Sequence, residues 1–310
     1  GFSIGVGEMD RFDMLFNDDY VLENYLAQNP NLTTDQIDLL YFTFGVDVRE
    51  LLAEYSKLTD EQFNRLFNDS AVDKNSLAQN PHLTTEQIDL LYSQFGEVAP
   101  SPIDSQNITK NLAAHPKLTD EQFNRFFNDS DVDKDYLALN TNLTTEQIDL
   151  LSTAGVNTYY LAQMSKPTAE QFNRFFNDSD VDKNSLAKNS HLTPEQIDLL
   201  YGYEGVDGDY LAGSGAKLTD EQFNRLFNDS DVGKDYLAMN PNLTTEQIDL
   251  LYSREDVNQK YLLPYSKLTD EQFMRFFNDE DVDKNYLALN PSINPLPLNK
   301  WQAGIFNWSW

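Results

Sequence analysis

The chain has 310 residues, 51 acidic against 22 basic side chains, a formal charge of −29 and no cysteine. That balance excludes a nucleic-acid partner, whose phosphates need a basic surface, and disfavours anionic membranes. The missing cysteine excludes disulfides, thiol nucleophiles and Cys-based metal sites.

Residues 1–7, GFSIGVG, form an apolar, glycine-rich N-terminal segment in which Phe2 and Ile4 are candidate contact residues. From residue 8 to residue 290 the chain is a tandem array. Taking the residue before the first threonine of each copy gives Leu32, Leu58, Leu83, Leu118, Leu143, Pro167, Leu192, Leu218, Leu243 and Leu268, mostly spaced by 24 to 26 residues. A degenerate copy precedes them, because Phe12, Leu15, Phe16, Asn17 and Asp18 align with Phe63, Leu66, Phe67, Asn68 and Asp69. A period in this range is the signature of a solenoid. The expected fold is all-α, a right-handed α-solenoid of about eleven two-helix repeats with one elongated core.

The copy at 118–142 shows the chemistry. Thr119 as N-cap with Gln122 at N3 makes a capping box, and Leu118 with Phe123 makes a hydrophobic staple. Phe123, Phe126 and Phe127 then lie on one helical stripe, with Asn124 and Arg125 expected to face out. The run Asn128-Asp129-Ser130-Asp131 supplies turn and cap chemistry for a second short helix ending at Asn140. Neither helix is long enough to be stable alone, so each copy must pack on its neighbours. The predicted core aromatics are Phe63, Phe67, Phe123, Phe127, Phe172, Phe176, Phe223, Phe227, Phe273 and Phe277. Phenylalanine copies (LTDEQFNRLFND) alternate with isoleucine copies (LTTEQIDLLY), giving a higher period near 50 residues.

The step from Leu83 to Leu118 is 35 residues, so the array carries an insertion. Residues 95–108 predict a protruding loop, and Pro100, Pro102 and Ile103 are candidate contacts. After Asn290 the repeat gives way to a Pro/Trp-rich segment, residues 291–310. A terminal repeat exposes an apolar flank, so this segment is expected either to cap it or to dock on another subunit through Trp301, Phe306, Trp308 and Trp310.

The sequences Leu77-Ala78-Gln79-Asn80-Pro81, Leu237-Ala238-Met239-Asn240-Pro241 and Leu287-Ala288-Leu289-Asn290-Pro291 carry an LA-x-NP core, which resembles the leucine-rich repeat variant family and, more loosely, HEAT-like arrays. The resemblance covers about 280 residues. It implies a right-handed solenoid with an α-helix and a shorter α- or 3₁₀-helix per repeat, and protein binding as the usual role. The chain departs from that family in lacking cysteines for its iron–sulfur module, and in having the arginine after the valine only at Val48-Arg49.

As chemistry, the alternating Asp129, Asp131, Asp133 and Asp135 are weak metal candidates. Lys134 stands where a calcium loop needs glycine, and Asn140 where it needs glutamate. His82, His115 and His191 suggest no triad, and no cofactor motif is present. The expectation is a non-catalytic structural subunit of a larger assembly, in a virion or on an extracellular surface, associating head-to-tail through its terminal segments. A protein-binding scaffold using its concave face and the 95–108 loop, and a calcium-stiffened adhesin stalk, are the alternatives.

Overall fold

The computed structural model describes residues 11–96 and 102–293. Phe2, Ile4, Pro100, Trp301, Phe306, Trp308 and Trp310 lie outside them. Among the described residues the chain is all-helical, with no β-strand.

Helices come in pairs. The first helix of a pair opens on a threonine box, and the box is complete at all ten threonines from Thr33 to Thr269. At Thr119 the hydroxyl accepts from the Gln122 N–H at 3.2 Å, and the Thr119 N–H donates to Gln122 Oε1 at 3.1 Å. Two otherwise orphaned N–H groups are thus satisfied at each helix start. The second helix is short and usually opens on an Asp or Asn cap, as at Asp73, Asn157 and Asp283. One copy, Leu137–Leu139, is 3₁₀.

The aromatic stripe divides in two. Phe63, Phe123, Phe172, Phe223 and Phe273 are buried, as are Leu66, Phe126, Phe175, Leu226 and Phe276 three residues on. Phe67, Phe127, Phe176, Phe227 and Phe277 are only partly buried, a correction to their assignment as core. Each stacks on the ring four residues before it, as Phe67 does on Phe63 with centroids 5.7 Å apart. Isoleucine pairs bury Ile37, Ile88, Ile148, Ile197 and Ile248 at the same register.

The insertion is not a loop throughout. Tyr92–Gly96 forms a π-helical segment and Pro102–Ala113 an α-helix. Pro102 and Ile103 therefore sit in a first helical turn, where the missing proline N–H would have been unpaired anyway.

Consecutive second helices come side by side, Val46–Tyr55 against Lys74–Gln79 and Lys74–Gln79 against Pro102–Ala113, while consecutive first helices stay further apart. The second helices thus form the inner side of a curve. The curve brings the ends together. Glu23–Ala27 and Arg11–Phe16 pack on Lys284–Ala288, and one apolar cluster joins Phe12, Leu15 and Leu26 to Phe273, Leu287 and Ile293. The bonds across this seam follow the register used inside the array. Asn80 donates to Ala53 O and Ser56 O of the pair before it, and Asn29 donates to Ala288 O at 2.7 Å and Asn290 O at 2.8 Å. The Asp73 N–H finds Glu50, and the Leu22 N–H finds Asn285 Oδ1 at 2.8 Å. The expected elongated core is therefore corrected: within the described residues the first and last pairs pack on each other.

Two outcomes follow. In a Leu22→Cys/Asn285→Cys variant of this cysteine-free chain, a short bis-maleimide should link the two sites within one molecule, whereas an open array would give only intermolecular products on a gel. In urea unfolding, Phe126→Ala should cost about 3–5 kcal/mol, the range for a fully buried aromatic, and Phe127→Ala distinctly less. Equal costs would show that the two rings share one environment.

Candidate interaction surface

A repeated set of charged groups joins one pair to the next. Where a phenylalanine pair follows an isoleucine pair, a glutamine and an arginine converge on one aspartate. Gln62 Nε2 reaches Asp38 Oδ1 at 2.8 Å and Thr34 O at 2.9 Å, and Arg65 Nη1 reaches the same Asp38 oxygen at 2.9 Å. The set recurs at Asp89, Asp149, Asp198 and Asp249. Hydrogen bonds from Gln171 and Arg174 hold Asp149 below the usual carboxylate range, and Gln222 with Arg225 does the same to Asp198. At Asp89 and Asp249 burial pushes upward, but the bonds outweigh it. Arg125 is thus not an outward-facing solvated side chain; its partner lies 36 residues earlier.

A second link joins the tyrosine of an isoleucine pair to an aspartate of the next. The Tyr41, Tyr92, Tyr201 and Tyr252 hydroxyls donate to Asp69, Asp129, Asp229 and Asp279. This link and backbone N–H groups together account for most of the aspartate run considered for metal. Asp129 accepts from Tyr92 at 3.1 Å and from the Asp131 N–H at 2.9 Å. Asp133 accepts from the Asp135 N–H at 3.1 Å, and Asp135 from the Asn157 N–H at 2.9 Å. No three His, Asp or Glu side chains among the described residues converge as metal ligands do.

His115 is buried, with Nε2 3.0 Å from Asn80 O and Nδ1 accepting the Lys117 N–H at 3.1 Å. That arrangement requires the neutral ring protonated on Nε2. Burial, helped by the nearby charges of Lys117 and His82, pushes it down to about 4.

What remains for a partner is the inner face and the acidic turns. Seven second helices place a tyrosine just before their inward leucine, at Tyr25, Tyr136, Tyr160, Tyr210, Tyr236, Tyr261 and Tyr286. Lysines lie over some of these rings, Lys188 4.2 Å from the Tyr210 centroid and Lys110 5.2 Å from that of Tyr136. The recurring Tyr-Leu dipeptide was the sequence signal for this set. A cleft of about 670 Å³ gathers Asp209, Asp229, Asp231, Asp235 and Asp256, yet its two cations are already used: Arg254 pairs with Asp256, and Lys234 turns onto the Asp229 and Val232 carbonyls. The surface chemistry is thus hydrogen bonding by amides and phenols within a carboxylate-rich frame. Pro102 and Ile103 stand at the start of the inserted helix.

Compared with family models, curated proteins and solved structures, the chain matches none.

The histidine predicts a pH window. Its folded value lies below the ordinary 6.5, so the unfolded chain binds the proton first, and stability should fall as pH drops from about 6.5 towards 4. The loss should be on the order of 3 kcal/mol, removed in His115→Gln and read by urea midpoints across that range. The lowered aspartates act later, their stabilisation fading only as pH falls through their depressed values. An unchanged profile in the variant would show that His115 is not the group titrating.

Proposed function

We propose that the chain is a closed ring, a right-handed α-solenoid of about eleven two-helix repeats of the leucine-rich repeat variant kind, and that it serves as a non-catalytic scaffold within a larger assembly, binding a basic protein partner. The observation that carries this reading is the seam, where the last pair receives the first through the asparagine and second-helix cap bonds that also join pairs internally. A ring leaves no repeat flank for partners. It offers its inner wall, its outer wall and two acidic rims. With helix axes about 9 Å apart, eleven inner helices give a circle roughly 30 Å across, and subtracting a helix diameter leaves an opening of about 20 Å.

The seam also changes how the terminal segments would work. Arg11 donates to Ser292 O at 2.6 Å, so the described ends of the chain leave the array side by side. Association through Phe2 and Ile4 together with Trp301, Phe306, Trp308 and Trp310 would therefore act at one point on the ring, tethering it or pairing two rings, rather than building a head-to-tail file. A virion or an extracellular surface remains the proposed setting. A formal charge of −29 on a frame whose arginines are all held in ion pairs supports a cationic partner. Carboxylates already holding hydrogen bonds support neither catalysis nor calcium stiffening.

Light scattering with small-angle scattering tests this, on the full chain and on a version ending at Ile293, which keeps the buried Ile293 and the Ser292 carbonyl. The expected result is one compact hollow shape for both, with self-association confined to the full chain. A rod-like profile would refute the ring. A hollow monomer in both cases would remove self-assembly and leave partner capture.

A further inference from the structure

The junctions between first helices alternate in what fills them. Where a phenylalanine pair follows an isoleucine pair, an arginine lies over an aromatic ring and ends on an aspartate, as Arg125 does with Tyr92, 4.6 Å from its centroid, and with Asp89. Where an isoleucine pair follows a phenylalanine pair, the register puts leucine in the arginine's place and asparagine in the aspartate's. Between Asp60–Asn68 and Thr85–Leu91 this leaves a cleft of about 360 Å³, lined among others by Leu90, Asn64, Asp60 and Glu86. By register the same leucine and asparagine recur as Leu150 with Asn124, Leu199 with Asn173 and Leu250 with Asn224. These three leucines are 39 %, 46 % and 40 % exposed.

Scattered surface leucines need no explanation. Four at one register, each at the kind of junction without an arginine of its own, form a pattern, and the pattern has a charge. Asp60, Asp120 and Asp220 accept a neutral glutamine amide, from Gln87 at 3.2 Å, Gln147 at 3.1 Å and Gln247 at 3.4 Å. Neither they nor Glu86, Glu146, Glu195 and Glu246 hold an ion pair among the described residues. All seven are exposed to water and open to a ligand. At Leu199 the aspartate is replaced by Ala169, so Glu195 supplies the charge there alone. Each groove thus joins an apolar floor to a rim of unpaired carboxylates, and lacks the cation that the alternate junctions carry themselves. A nine-residue helix is about 13 Å long, so the groove between two of them accepts about two turns of a third helix, met through side chains three or four residues apart.

We propose that these grooves dock basic amphipathic helices of the partner, with an aliphatic side chain seated on Leu90 or its register mates and lysines or arginines one turn away pairing with Asp60 and Glu86. The proposal rests on the basic-partner reading above and names the surface that receives it. Labelled (Leu-Ala-Lys-Lys)3 is the probe, and (Ser-Ala-Lys-Lys)3, equal in charge and without an apolar stripe, is its control. Anisotropy on the full chain at low salt should show both bound, the leucine peptide about tenfold tighter, the scale of one leucine side chain leaving water. The combined variant Leu90→Asn, Leu150→Asn, Leu199→Asn and Leu250→Asn should bind both peptides alike at the weaker level. The combined variant Asp60→Asn, Asp120→Asn and Asp220→Asn, which keeps an acceptor for each glutamine, should weaken the leucine peptide several-fold. Both variants should melt as the native chain does; if the leucine variant does not, the aspartate variant decides. Equal binding of the two peptides by the native chain, a preference surviving in the leucine variant, or an unchanged affinity in the aspartate variant overturns the grooves while leaving the basic-partner reading intact. Loss of the full chain's self-association in the leucine variant, with the two peptides bound equally, would assign the grooves to a second copy and overturn the proposal as well. Binding of neither peptide overturns both readings.

Discussion

A single buried amide does two jobs at most junctions between pairs. Gln62 Oε1 accepts from the Thr59 N–H and closes the cap of its own helix, while Gln62 Nε2 donates to Thr34 O and Asp38 of the pair before it. The side chain is almost wholly buried, and both ends are satisfied. Neither half of the arrangement survives without the other. A shorter side chain would leave an orphan N–H at the cap and an unmatched carbonyl next door, and a charged one would pay for desolvation. The register of one pair on the next is set here, and the aromatic core packs within that register.

Alternation makes the seam a special case. Phenylalanine and isoleucine pairs take turns along the chain, and the first and last pairs are both of the phenylalanine kind, so two like pairs meet when the ends join. The Gln/Arg–Asp and Tyr–Asp links cannot form there, because each needs one partner of each kind. Arg11 stands in the glutamine position and reaches Asp270 at 2.5 Å, with further donation to Leu268 O and Ser292 O. By register Met14 and Met274 occupy the places of the arginine and the aspartate that pair elsewhere. Lys284 meets Asp18 at 2.6 Å, at the position where a tyrosine hydroxyl serves other aspartates. These departures from the consensus were visible in the sequence only as degeneracy in the first and last copies. They are the residues a like-on-like junction requires.

Much of the local structure was legible because it is local. The capping boxes depend on residues three apart, and the buried stripe on residues three and four apart, so Thr119, Gln122 and Phe123 announce themselves. Arg125 did not, since its partner lies one repeat away and a polar residue in a helix reads as solvated until that neighbour is placed. Phe127 was read as core because periodicity cannot separate a fully covered ring from one that lies over it at the rim. Closure was the least legible feature. It depends on the small rotation added at every step, and a slight change in that rotation turns a ring into a spiral. The insertion misled for a related reason: Pro100 and Pro102 signal a loop, but proline is equally at home opening a helix, and the sequence 102–113 continues helically to Ala113.

The charge of the chain acts against its own closure. Like charges spread around a ring repel across it, and the repulsion works on whichever junction is weakest. Inside the array one aspartate at each phenylalanine-on-isoleucine junction meets an arginine, so the junctions carry part of their own neutralisation. At the seam two ion pairs take this role, and they differ in kind. Asp270 is 78 % exposed, so its attraction to the buried Arg11 is partly screened, whereas Lys284 and Asp18 are both largely covered and less open to salt. The carbonyl bonds of Arg11 and the buried amide of Asn29 owe little to ionic strength, and with the apolar cluster beneath them they hold the ends in register when charge is screened. A cationic partner of the proposed kind, bound along the acidic rims, would lower that repulsion. Binding and ring integrity would then favour one another through the same electrostatic field, without any change in the contacts at the junction itself.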